Sequence, residues 1–104
     1  MLTEAQLREK RDEKLKPALE QNAPVYMVSE SINLEVPSIL FNVLFRHHLY
    51  FWVSRRYRYD GFNDVLYFMG QRTVTEAEAV EVQENAEPYI ADIAAADIPN
   101  SYGG

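Results

Sequence analysis

The stretch from Ile39 to Met69 constrains the fold most, because it holds ten of the chain's thirteen aromatic residues. It also holds every positive charge after Lys16 except Arg72. Aromatic side chains dominate the burial of apolar surface in small domains, so this stretch must supply most of the core. We expect the rest of the chain to be arranged around it.

The composition is that of an ordinary globular protein. At 104 residues, with 47% hydrophobic and 25% charged residues, the chain has the size of one domain (residues 1–104) and can bury a core without disulfides. It contains no cysteine, which excludes thiolate metal sites. The longest apolar run is broken by Arg46, His47 and His48, so we expect no membrane span. The charged N-terminus does not resemble a signal or transit peptide, and we expect a cytoplasmic chain.

The net charge of -6 is distributed unevenly along the chain. Residues 1–38 carry five positive and seven negative side chains, residues 39–72 carry five and two, and residues 73–104 carry none and seven. A basic, aromatic centre is therefore followed by an acidic C-terminal part. This indicates either that the acidic part folds back on the centre or that each meets a different partner.

The N-terminal segments predict one helix and one extended segment. Thr3-Glu4-Ala5-Gln6 matches a capping box, and we expect residues 1–22 to form a helical arm that buries little and is interrupted at Pro17. From Tyr26 to Leu34 apolar residues alternate, with Glu30 as the exception. A period of two predicts an extended segment, which needs a strand partner in this chain or in another copy.

Residues 38–96 are expected to form the core, and their spacing favours helices. Apolar residues at helical spacing predict a helix over residues 38–55, and Asp60 and Gly70 would begin and end a short one over residues 62–69. Thr75-Glu76-Ala77-Glu78 is a second capping box, followed by helical residues 75–96 that bend or restart at Pro88. Residues 97–104 would be a flexible tail.

These patterns predict a mainly α fold, a small single-domain helical protein with one extended segment. The alternative is an α+β fold with a hairpin at residues 49–68, because Asp60-Gly61 between two aromatic-rich runs is a strong turn signal. The two interpretations put the same side chains on different surfaces.

One cluster interleaves guanidinium groups with aromatic rings, the residue types that dominate binding energy at protein interfaces. Such a set can also stack bases and pair phosphates, or simply pair with the acidic part of the chain. We expect partner binding here, by Trp52, Arg55, Arg56, Tyr57, Arg58 and Tyr59.

The acidic part offers a second candidate surface. Its carboxylates are spaced around a helix and most simply form a solvated face, with an anionic strip that mimics nucleic acid as the alternative. The strip consists of Glu76, Glu81, Glu84 and Glu87, with Glu78 beside it.

No catalytic, cofactor or metal motif is recognisable. The adjacent pair His47-His48 lacks the spacing of helical metal ligands, and there is neither a G-x-S-x-G elbow nor a phosphate-binding glycine loop. Asp60 and Asp64 near Arg58 are more simply a cap and a turn residue than a polar site. We therefore expect no enzyme, no cofactor and no bound metal.

The predicted function is that of a non-enzymatic interaction subunit: an adaptor, assembly factor or structural component of a larger complex. Its partner would be another protein or a second copy of the chain, with the Arg/Tyr cluster as the site. The first alternative is nucleic-acid binding through Arg55, Arg56 and Arg58. The second is an acidic inhibitor or mimic that uses residues 76–97.

Overall fold

A computed structural model describes residues 1–48 and 50–90 of the chain. Within these residues, five antiparallel strands form one sheet that carries two α-helices. Helix α1 (Glu4–Leu19) leads through a short 3-10 helix (Glu20–Asn22) into the sheet. The strands are β1 (Val25–Asn33), β2 (Ser38–His47), β3 (Phe51–Asp60), β4 (Val65–Val74) and β5 (Pro88–Ile90), and helix α2 (Glu76–Asn85) lies between β4 and β5.

The strand order is β4-β3-β2-β1-β5, so β2 is the central strand and β4 is an edge. Strands β1 to β4 pair consecutively and antiparallel. Helix α2 then returns the chain to the opposite side of the sheet, where β5 pairs with Val25 and Tyr26 of β1.

The two faces of the sheet are covered unequally. The face toward α1, called the α1 face, carries the main core, whose fully buried members include Ile39, Phe41 and Tyr59 as well as three leucines of α1. The opposite face, called the α2 face, is covered at one end, where Ala79 of α2 packs with Tyr26, Leu44 and Val74. The rest of the α2 face is left uncovered by α2.

A bulge in β1 explains the irregular alternation there. The pairing with β2 shifts between Met27 and Ser29, which leaves Val28 as the extra residue. Beyond the bulge, Glu30 lies opposite Phe41 and therefore on the α1 face. The predicted extended segment is confirmed as β1, and its strand partners lie within this chain.

The mainly α prediction is wrong: of the residues that the structure describes, 33% are helical and 47% are in strands. Within the predicted helix over residues 38–55, residues 38–47 form β2 and residues 51–55 belong to β3, and residues 62–69 belong to the next turn and β4. Asp60 does not begin a helix; its carboxylate accepts the N–H groups of Phe62 and Asn63 in the turn. The α+β alternative matches this sheet, because β3 and β4 form a hairpin that lies a few residues further along the chain than predicted.

The N-terminal helix is not a projecting arm. Leu7, Leu15 and Leu19 are 0% exposed in the core, and the helix continues past Pro17 to Leu19. The first capping box is confirmed, with reciprocal hydrogen bonds between Thr3 and Gln6. In the second, Thr75 accepts the N–H of Glu78, but the chain forms β5 from Pro88 instead of a further helix. The predicted helical residues 91–96 and the tail lie outside the described residues.

Candidate protein-interaction site

The predicted partner-binding cluster lies on β3, and the period of the strand divides it between the two faces. Successive side chains of a strand point to opposite faces. Arg55, Tyr57 and Tyr59 therefore lie on the α1 face, and Trp52, Arg56 and Arg58 lie on the α2 face. The structure does not bring the six residues together on one surface.

Three members of the cluster are occupied by packing. Tyr57 and Tyr59 are 5% and 0% exposed, and the hydroxyl of Tyr59 donates to Asp64 at 2.6 Å. Burial, together with this hydrogen bond, raises the pKa of Tyr59 well above its ordinary value. Trp52 is half-buried and packs against the cluster that α2 covers. Little of either tyrosine ring is thus accessible to a partner, and the binding role of these three rings stays a prediction.

Two of the arginines of β3 contact side chains of the neighbouring edge strand. The guanidinium carbon of Arg58 lies 4.7 Å from the ring centroid of Tyr67, on the α2 face. On the α1 face, that of Arg55 lies 5.2 Å from the ring of Phe68, and its Nε donates to Gln71 at 2.8 Å. Each face of β4 thus has a cation beside one of its aromatic rings, and Arg55 also lies 4.8 Å from the ring of Phe45 on β2.

The edge strand β4 exposes a row of large apolar side chains that we call the β4 ridge: Val65, Tyr67, Phe68 and Met69. They are 37%, 39%, 58% and 52% exposed. Within the described residues, β4 pairs with β3 alone, so the backbone groups on its outer side have no strand partner. The ridge was not predicted from the sequence, because these residues were placed in a helix; the run Val65 to Met69 followed by Gly70 was the available signal.

The opposite edge of the sheet is protected in the ways that natural sheets commonly use. Strand β5 has three residues and begins with Pro88, and the uncovered part of β1 carries Ser29 and Ser31. Short strands, proline and polar side chains all discourage pairing with another chain. Strand β4 has ten residues and no proline; its second half contains the polar residues Gln71, Arg72 and Thr73 after a bulge at Met69-Gly70, but its first half, residues 65–69, is entirely apolar. The two edges therefore differ in their readiness to accept another strand.

The acidic strip lies on and beside α2, where Glu76, Glu81, Glu84 and Glu87 are all exposed. Glu78 accepts a hydrogen bond from Arg72 at 3.2 Å, which lowers the pKa of Glu78 below its ordinary value. This contact and the packing of Ala79 place α2, within the described residues of the acidic part, against the basic centre. Neither observation tests whether the strip binds another molecule.

The histidine pair lies where β2 ends. The ring of His47 stacks on Phe51 with centroids 5.2 Å apart and meets the ring of His48 edge-on at 4.1 Å. Burial, followed by the neighbouring His48 and Arg55, lowers the pKa of His47. In the part of the chain that the structure describes, no group of three or more candidate ligands could hold a metal ion. Among the same residues, neither helix is long and apolar enough to cross a membrane.

Comparison with known proteins gives no relationship to build on. No family model matches the chain, and neither a characterised protein nor a solved structure matches it. The fold and this site therefore define the chain only as an α+β protein whose sheet has one protected edge and one open, apolar edge.

Proposed function

We propose that the chain is a non-enzymatic interaction module that binds an extended segment of a partner protein by adding it to the edge of the sheet at β4. One observation carries the proposal: a ten-residue edge strand exposes apolar side chains on both of its faces. An adaptor or assembly subunit of a larger complex would use such an edge.

Strand addition would use both the backbone groups and the side chains of this edge. Backbone hydrogen bonds to the outer side of β4 would supply affinity, and the ridge would bury apolar surface against alternate side chains of the partner. Tyr67 is available on the α2 face and Phe68 on the α1 face. A partner strand with apolar side chains on both faces therefore fits this edge.

The alternative of nucleic-acid binding loses support from the placement of its residues. Arg55 lies on the face opposite Arg56 and Arg58, so these three cannot line one groove along a phosphate backbone. An enzyme is not proposed either, because Tyr59 and Asp64 satisfy each other in a structural hydrogen bond and Asp60 holds a turn. The acidic strip remains an untested alternative surface.

Peptide selection tests the proposal and does not require an identified partner. Random peptides displayed on phage would be selected against the chain, and their affinities measured by calorimetry. We expect Phe68→Lys to weaken the selected peptides at least about tenfold, since burial of a phenylalanine is worth about 1.5–3 kcal/mol. The matched control is Phe62→Lys, which makes the same change at a side chain that is 82% exposed in the β3–β4 turn.

Amide hydrogen exchange then locates the bound peptide. Backbone amides of β4 should become protected on binding, because a new strand satisfies the donors on its outer side. Selected peptides that protect residues away from β4, or that bind Phe68→Lys and Phe62→Lys equally, would refute strand addition at this edge. Failure of the library to yield any binding peptide would count against it as well.

A further inference from the structure

We infer that the segment added to β4 is acidic, with carboxylates on both of its faces held by Arg55 and Arg58. The inference rests on the proposed function and names the chemistry of its partner. It follows from the positions of the two arginines and from their lack of an ion pair with a carboxylate among the described residues.

The two arginines lie within reach of a strand added outside β4. Their Cα atoms are on β3, about 10 Å, or two strand spacings, from such a strand. The guanidinium carbon of Arg58 already lies over Tyr67 of β4. That of Arg55 lies between the rings of Phe45 on β2, at 4.8 Å, and Phe68 on β4, at 5.2 Å, and its Nε donates to Gln71 of β4. A carboxylate beside Tyr67 or Phe68 on the added strand would lie next to one of them.

Neither arginine forms an ion pair with a carboxylate among the described residues. The ion pairs formed there by other cations include those that join Arg8 and Arg11 of α1 to Glu30, Lys14 to Asp64, and Arg72 to Glu78. Arg55 instead donates to the neutral side chains of Gln71 and Tyr57, at 2.8 and 3.0 Å. In this acidic chain the edge thus has on each face an arginine without an ion pair among the described residues, although Arg58, after the hydrogen bonds from Asn63 and Phe62, also helps to lower the pKa of Asp60.

Charge also disfavours a second copy of the chain as the occupant. If β4 paired antiparallel with β4 of a second copy, the β3–β4 turn of one copy, flanked by Asp60 and Asp64, would lie beside Glu76 at the start of α2 in the other copy. Like charges placed together across an interface are unfavourable, and each copy carries a net charge of -6. An acidic segment of a different protein does not bring Asp60 and Asp64 close to Glu76 of a second copy, and its carboxylates can pair with the two arginines.

Three synthetic peptides of the length of β4, with blocked ends, test the inference. Each peptide repeats the unit X-X-Val-Thr, where X is Glu, Gln or Lys, so that X lies on both faces of the added strand. We expect affinity for the chain to fall in the order Glu, Gln, Lys. Attraction by the net charge of -6 would favour the Lys peptide, so a preference for Glu can arise only from local cations.

Substitution of the arginines assigns the preference to them. Arg55→Gln and Arg58→Gln should each reduce the ratio of Glu-peptide to Gln-peptide affinity by about two- to fivefold, the range expected of an exposed ion pair. Affinity for the Gln peptide should stay unchanged. Arg46→Gln is the matched control, because Arg46 belongs to β2 and lies over Trp52 of β3, away from the edge strand. Added salt should weaken the preference as well.

The outcomes separate the inference from the proposed function. Peptides that protect β4 with no preference for Glu, or with a preference for Lys, would overturn the acidic partner and leave strand addition standing. A concentration-dependent dimer at neutral pH that Phe68→Lys abolishes would show that a second copy occupies the edge and would refute the inference. The inference would also be refuted by a single-stranded oligonucleotide that displaces the Glu peptide and whose binding depends on Arg55 and Arg58. If no peptide protects β4, both proposals fail together.

Discussion

Arg11 is the residue on which the contact between α1 and the sheet depends most. Its side chain is 1% exposed, and its guanidinium carbon lies 4.7 Å from the ring centroid of Phe41. Its nitrogens donate to Asp12 at 2.6 Å, to Glu30 at 2.8 Å and to the hydroxyl of Tyr89 at 3.2 Å, while Nη1 is buried without a partner. Burial opposes the charged form, but these hydrogen bonds outweigh it and raise the pKa of Arg11.

We predict that Arg11→Ala lowers the free energy of unfolding by about 3–5 kcal/mol, because removal of one member of a buried ion pair also leaves a gap in the core. Arg8→Ala is the matched control: Arg8 pairs with the same Glu30, but its side chain is 43% exposed, and the expected loss is below about 1 kcal/mol. Urea denaturation measures both. Equal losses would show that burial does not set the strength of this cluster.

Glu30 makes part of this stability dependent on pH. Burial alone would raise its pKa, but hydrogen bonds from Arg8 and Arg11 lower it below the ordinary value of 4.5. A lowered folded-state pKa means that the contribution is complete above about pH 4.5 and is lost as pH falls through the folded-state pKa.

The prediction is a pH-dependent difference between wild type and Glu30→Gln. The difference in free energy of unfolding should be constant above about pH 5 and should shrink at lower pH, as measured by denaturation at a series of pH values. Glu9→Gln, an exposed change on α1, should give a profile parallel to wild type. A Glu30→Gln difference that does not vary with pH would contradict the assigned role.

Among individual residues, the sequence did not predict the surroundings of the side chains that it singled out. Arg55 and Arg58 were predicted to bind a partner; the structure places both on β3, next to the edge strand, and their binding role stays a prediction. Tyr57 and Tyr59 were grouped with them because they are neighbours in sequence, but the strand sends alternate side chains to different faces. The burial of Arg11 was not predictable from a helix charged on all sides, since it depends on Glu30, whose position is set by the bulge in β1.

Strand β2 shows why the secondary structure was mistaken. It is the central strand, and Val43, Leu44 and Phe45 are all buried, because α1 covers one face and α2 covers this part of the other. A strand buried on both faces loses its alternation and reads as a continuous apolar run. Its residues therefore matched helical spacing as well as strand spacing. The two helix N-caps, Thr3 and Thr75, were predictable because they depend on local contacts alone, although only Thr3 completes the reciprocal capping box.

The bulge in β4 gives a prediction at the scale of one element. Gly70 has a φ of 125°, a backbone conformation open mainly to glycine, and a Cβ there would meet nothing within 4 Å. Gly70→Ala should therefore cost about 1–3 kcal/mol through backbone strain, without a steric clash. Thermal unfolding measures the loss, and Thr73→Ala on the same strand serves as the control. If Gly70→Ala is as stable as Thr73→Ala, the bulge does not need its glycine.

In the whole molecule, the net charge opposes association between copies, whereas the open edge of β4 favours it. The net charge of -6 at neutral pH keeps copies apart by repulsion, although β4 presents an apolar edge on which another strand could pair. The sequence predicted the charge but not the edge, because an edge exists only once the order of all five strands is fixed. Near the sequence pI of about 4.8 the repulsion disappears while the edge remains.

We therefore predict that the chain associates through β4 as the pH approaches its pI, measured as light scattering against pH. Phe68→Lys should suppress the association, since a lysine on an edge strand discourages pairing. Phe62→Lys adds the same charge and raises the pI equally, but it lies in the β3–β4 turn, so it should shift the pH of association upward without abolishing it. If both variants associate alike, net charge alone governs the behaviour, and β4 is not the surface through which copies meet.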